Sequence, residues 1–86
     1  APIVTIDKIE QVLLNILERK DKDLSKMSLH VHPFVAAYLK NGLPSIQMRW
    51  FFKHKKWIKI IPRDAYKYLQ FNFLDKYHNT LYNESN

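Results

Sequence analysis

The sequence contains no cysteine. That excludes disulfides, a thiolate nucleophile and a thiolate metal site, and it suits a reducing cytoplasm. Glycine occurs once, at Gly42, so no glycine-rich phosphate loop is present. No apolar run approaches the ~20 residues needed to span a bilayer, so no membrane partner is expected. The opening APIVTIDKIE lacks a charged segment leading into an apolar one and does not read as a signal peptide. Acidic residues are scarce in the middle of the chain. Between Arg49 and Lys67, Asp64 stands alone against Arg49, Lys53, Lys55, Lys56, Lys59, Arg63 and Lys67.

What is present is one small domain. Eighty-six residues bury only ~60–65% of the unfolded surface, so the core is thin. The apolar content is ordinary for a globular protein, which argues against disorder. The net charge of +6 comes from the middle segment, because residues 1–39 carry five basic and five acidic groups. Charge concentrated in this way implies an anionic partner, or a place beside one in a larger assembly.

TIDKIEQVLLNILERK predicts a first helix, with Thr5 as N-cap and an apolar stripe of Ile6, Ile9, Val12, Leu13, Ile16 and Leu17. Leu14 falls off the stripe and reads as an ordinary exposed leucine. After a polar connector, MSLHVH alternates as a half-buried strand, Met27, Leu29 and Val31 opposing Ser28, His30 and His32. Pro33 opens a short second helix burying Val35, Tyr38 and Leu39, or Phe34 in place of one of them. Gly42 suits the left-handed position after its end, and Pro44 bars continuation.

SIQMRWFFK alternates again and predicts a strand. WIKIIP predicts its hairpin partner across His54, Lys55 and Lys56, and YLQFNF a last strand. The expected fold is α+β in two layers, ordered α-β-α-β-β-β. Its three- to four-stranded, mainly antiparallel sheet carries two helices on one face. Residues 1–75 form the domain, and 76–86 are expected to fray as a tail.

Strand parity assigns Ile46, Met48, Trp50, Phe52, Ile58, Ile60, Leu69, Phe71 and Phe73 to the core. The opposite face receives Gln47, Arg49, Phe51, Lys53, Trp57, Lys59, Tyr68, Gln70 and Asn72. The binding candidates are therefore Arg49, Phe51, Lys53, Lys55, Lys56, Trp57, Lys59 and Tyr68. Aromatic platforms interleaved with cations hold single-stranded nucleic acid. The same exposed aromatics equally mark a protein interface, and composition does not separate the two.

No catalytic constellation is visible: no paired acids at a useful spacing, and no nucleophile beside a base. His30 and His32 lie two apart on a strand, but a catalytic zinc site asks for three protein ligands. The alternative is a polar strand face with His32 capping the second helix. Neither a catalytic nor a metal residue is assigned.

The motifs VHP (Val31 to Pro33), VAAYL (Val35 to Leu39) and IIP (Ile60 to Pro62) appear in order. In that order they resemble the C-terminal small domain of the ribonuclease E/G family, in its Bacteroidetes-type form. IVTIDKIE resembles the helix that follows that family's zinc-link segment, so the resemblance runs from about Ile3 to Phe73. It implies a noncatalytic fragment of a bacterial, cytoplasmic endoribonuclease of RNA processing and decay. The parent would hold Mg2+ on aspartates and a structural Zn2+ on cysteines. Neither set occurs in these residues, so no cofactor is expected here. The implied partners are other domains or subunits of a homo-oligomeric parent, and single-stranded RNA. An independent small RNA-binding module is the alternative.

Overall fold

The computed structural model describes residues 2–84. The elements are α1 (Pro2–Leu17), β1 (Ser28–Val31), α2 (Pro33–Lys40), α3 (Ile46–His54), β2 (Lys59–Pro62), β3 (Phe71–Leu74) and β4 (Thr80–Glu84). The class is α+β as expected, with a four-stranded, mainly antiparallel sheet ordered β2-β1-β3-β4. β1 pairs parallel with β2 and antiparallel with β3, and β3 pairs antiparallel with β4.

α1 begins three residues before the expected cap. Thr5 lies inside it, buried, and its hydroxyl has no hydrogen-bond partner among the described residues. The predicted stripe holds: Ile6, Ile9, Val12, Leu13 and Ile16 are buried, and Leu14 is exposed. Their spacing puts them on one face of the helix, over the sheet. β1 follows its alternation, with Leu29 and Val31 fully buried. His32 then caps α2, its Nδ1 accepting from the Phe34 amide at 3.0 Å. α2 buries Val35, Ala36 and Leu39, whereas Tyr38 and Phe34 face solvent. Gly42, just past the helix, takes φ 92°, as its position predicts.

The main correction concerns residues 46–53, which form helix α3 rather than a strand. Ser45 Oγ accepts from the Met48 amide at 3.1 Å, capping the helix in place of a backbone carbonyl. Gln, Met, Arg and Lys are all good helix formers, and Ile46 is the single β-branched residue. The helix turns Trp50 inward and Phe52 outward, at 57% exposure, where strand parity had placed both in the core. It also buries Gln47, assigned by parity to the outer face.

The expected hairpin is therefore absent. Lys55 ends α3 in the left-handed region (φ 60°), its amide donating to Phe51 O at 2.8 Å. After α3 the chain returns as β2 parallel to β1, which makes β1-α2-α3-β2 a crossover unit. Ile58 and Ile60 point inward as predicted, but Leu69 precedes β3 and is 49% exposed.

The domain also extends past residue 75. β4 closes the sheet in the segment expected to fray, with a register irregularity opposite Phe73 and Leu74. Phe71 stacks on Tyr82 at 5.2 Å.

One face of the sheet is thus covered by helices over Leu29, Val31, Ile60, Phe71 and Phe73. The register puts Ser28, His30, Lys59, Ile61, Asn72 and Leu74 together on the other face. On that second face Lys59 is exposed and Ser28, His30, Ile61, Asn72 and Leu74 are half-buried, Asn72 Nδ2 donating to Tyr66 Oη at 2.7 Å. Among the described residues no helix is long and apolar enough to cross a membrane.

Candidate nucleic-acid interface

The helix end at Lys55 throws the next three residues across the end of the sheet. Trp57 emerges 52% exposed, with Phe51 edge-on to it at 6.0 Å and Phe52 beside Phe51 at 6.1 Å. The Lys59 amide donates to Met27 O at 3.1 Å, the rung that starts the β1–β2 ladder. That rung carries Lys26 to Lys59, two residues remote in sequence. Lys26 itself adopts φ 56°.

The result is a groove of about 670 Å³ lined by Leu24, Ser25, Lys26, Met27, Lys55, Lys56, Trp57 and Lys59. Four lysines line the groove together with the exposed Trp57, and no acidic residue is among its described lining. Lys55 Nζ donates to Phe52 O at 3.0 Å, which holds that charge against the helix end.

The groove continues onto the open sheet face. A second pocket of about 310 Å³ shares Lys26 and Lys59 and adds Ser28, His30, Ile61, Asp75, Lys76 and His78. Arg63 Nη1 approaches His30 Nδ1 at 3.5 Å. Burial pushes the His30 imidazole below its ordinary range, and the charges of Arg63 and His78 act in the same direction.

Lys76 pairs with Asp23 at 2.7 Å, and the hydrogen bonds from Lys76 and Ser25 hold that carboxyl well below the usual carboxylate range. Asp75 is turned to its own loop, Oδ1 accepting from the Tyr77 and Asn79 amides at 2.9 and 2.8 Å. Desolvation opposes its ionisation, but these hydrogen bonds outweigh it and its pKa is lowered.

Of the residues predicted as binding candidates, Phe51, Lys55, Lys56, Trp57 and Lys59 come together here. Arg49 and Lys53 do not. They line a separate groove of about 440 Å³ between α1 and α3, with Asp7, Glu10, Leu14 and Tyr38. There Trp50 Nε1 donates to Glu10 Oε2 at 3.0 Å, tying the two helices. Tyr68 is half-buried against the core, edge-on to His32 at 5.5 Å, at the end of the sheet away from Trp57. Tyr68 and Trp57 stand at opposite ends of β2, because the Tyr68 loop follows that strand while Trp57 precedes it.

Sequence reasoning missed Lys26, His30, His78 and Phe52. Phe52 was findable locally, by reading 46–54 as a helix, and the outward side of His30 followed from the alternation of β1. Lys26 and His78 arrive through sheet pairing, which no local pattern encodes. Among the described residues no three His, Cys, Asp or Glu side chains converge as metal ligands.

The fold and site define a small α+β domain with a basic, aromatic groove running onto an open sheet face. Comparison with known protein-family models, curated proteins and solved structures found no match.

Proposed function

We propose that this chain is a noncatalytic domain that holds single-stranded RNA, serving a ribonuclease E/G-type endoribonuclease whose chemistry resides elsewhere. The observation that carries the RNA half is the groove that Lys26, Lys55, Lys56 and Lys59 line together with Trp57. A base stacks on an exposed indole whatever its identity, and the ammonium groups follow the phosphates on either side. The parent assignment rests on the VHP, VAAYL and IIP motifs, and it makes the parent's Mg2+ and Zn2+ external to these residues. The subunit-assembly task implied by the same motifs has its own surface, the α1–α3 groove with exposed Ile3, Leu14 and Tyr38.

The test is titration of the chain with a fluorescent single-stranded oligoribonucleotide at several salt concentrations. Trp57→Ala is expected to cost ~1–3 kcal/mol of binding. Lys56→Ala is expected to flatten the plot of log affinity against log salt by about 0.7. Affinity unchanged in both variants would refute the groove as the RNA site.

A further inference from the structure

The open-face pocket is unlike the Trp57 groove beside it. It has no exposed aromatic, and at about 310 Å³ it lies at the small end of the ~300–1,000 Å³ typical of ligand pockets. Its size suits one compact group better than a base with its sugar. Its walls come from three parts of the fold: Ser28 and His30 from β1, Lys59 and Ile61 from β2, and Lys76 and His78 from the β3–β4 turn. Register fixes the first two walls, because Ser28 stands opposite Lys59 and His30 opposite Ile61. The third is fixed by Asp75, whose carboxylate ties the turn and whose backbone carbonyl accepts from the His78 amide at 3.0 Å.

We infer that this pocket seats one phosphodiester of the strand whose base stacks on Trp57, and that His30 tightens the seat when it is protonated. The inference deepens the RNA-holding reading and rests on it for the identity of the ligand. Lys26 and Lys59 belong to both cavities, so a backbone leaving the indole passes directly into the seat.

The charges facing His30 decide how the seat responds to pH. Arg63, Lys26, Lys59 and Lys76 are cationic, and Asp75 is the one acid among the described lining residues. Lys76 is already engaged by Asp23, Asp75 Oδ1 by the Tyr77 and Asn79 amides, and Asp75 Oδ2 by the Asn79 side chain at 3.3 Å. Burial first, and then the charges of Arg63 and His78, hold the free His30 imidazole below its ordinary value. A bound phosphate supplies the missing negative charge, so the imidazole takes up a proton as the ligand binds. By linkage, affinity rises as pH falls through the range where the free imidazole is neutral. The protonated His30 imidazole can then make a charge-assisted hydrogen bond to a phosphate oxygen.

The experiment has two arms. In the first, inorganic phosphate is titrated into the chain while the histidine ring resonances are followed by NMR. The His30 and His78 resonances are expected to shift, and His30 to titrate at higher pH, with phosphate present, whereas His54 on α3 stays unmoved. Rings that ignore phosphate would overturn the seat.

In the second arm, oligoribonucleotide affinity is measured at about pH 7.5 and pH 5.5 for the parent, His30→Gln, His78→Gln and the double variant. Circular dichroism confirms folding at each pH. The parent is expected to gain about ten-fold, the effect of raising one imidazole by about one pKa unit. The double variant should lose that gain, and His54→Gln should keep it. A gain that survives in the double variant refutes the inference while leaving the Trp57 groove standing. An absence of RNA binding at both pH values overturns the RNA-holding reading instead, and the phosphate arm still decides the seat.

Discussion

Gln47 shows how one side chain can join two elements. It is 7% exposed, and its Nε2 donates to Ile58 O at 2.8 Å, fastening the first turn of α3 to the lead-in of β2. That lead-in carries Trp57, so the amide holds the groove's aromatic from behind. Replacing Gln47 with Leu would leave the Ile58 carbonyl buried and unpaired, at a cost of ~1–3 kcal/mol. A shift of the urea midpoint with unchanged slope is the expected readout. Phe51 supports the indole from the other side, edge-on at 6.0 Å, a contact worth ~0.5–1.5 kcal/mol beyond its buried area. At this scale Trp57 was legible in the sequence as an outward residue. Gln47 was not, because its role depends on being in a helix.

At the scale of elements, α3 is where periodicity deceived. Apolar residues at 46, 48, 50 and 52 satisfy a strand, yet 46 and 50 also share one helical stripe, and the 51–52 pair fits neither cleanly. The decisive signals were the cap and the composition. Ser45 follows Pro44, and the basic pair Lys53–His54 sits in the last turn, where the helix dipole favours it. Ser45→Ala is expected to lower stability by ~1 kcal/mol, read as a fall in thermal midpoint with the spectrum of the folded state retained.

The remaining elements divide by how local their causes are. α1, β1 and α2 follow from stripe, alternation and a first-turn proline, all visible within a few residues. β4 does not, because TLYNE has only two apolar residues and owes its place to pairing with β3. Asp75 did announce the turn that makes this pairing possible, since an aspartate whose side chain accepts from amides two and four residues on is a recognised turn device.

Over the whole molecule, proton uptake weakens the fold in one direction. The His30 and His54 pKa values are lowered, each chiefly by burial and then by a neighbouring cation, Arg63 and Lys53 respectively. A folded imidazole that resists protonation leaves the unfolded chain to take up the proton first. Stability is therefore full at neutral pH and falls as pH drops below the ordinary histidine value of ~6.5. Asp23 and Asp75 are ionised more readily in the folded state, so their contribution is lost at lower pH, below the ordinary aspartate value of ~3.9. Thermal melts stepped downward in pH should show two successive declines, and His30→Gln with His54→Gln should remove the first. The lysine-rich surface becomes legible only at this scale, because half of its site arrives through strands that meet across the sheet.

The single rung between the Lys59 amide and Met27 O has a consequence beyond geometry. It draws Lys26 from a charge-balanced half of the chain into the company of Lys55, Lys56 and Lys59, so folding itself compresses like charge. The native domain carries a built-in tension that counterions or a polyanion relieve. Any polyanion bound there would act as a brace for the architecture, adding stability in proportion to RT ln(1 + [L]/Kd). The domain would be at its firmest when loaded and at its loosest when idle.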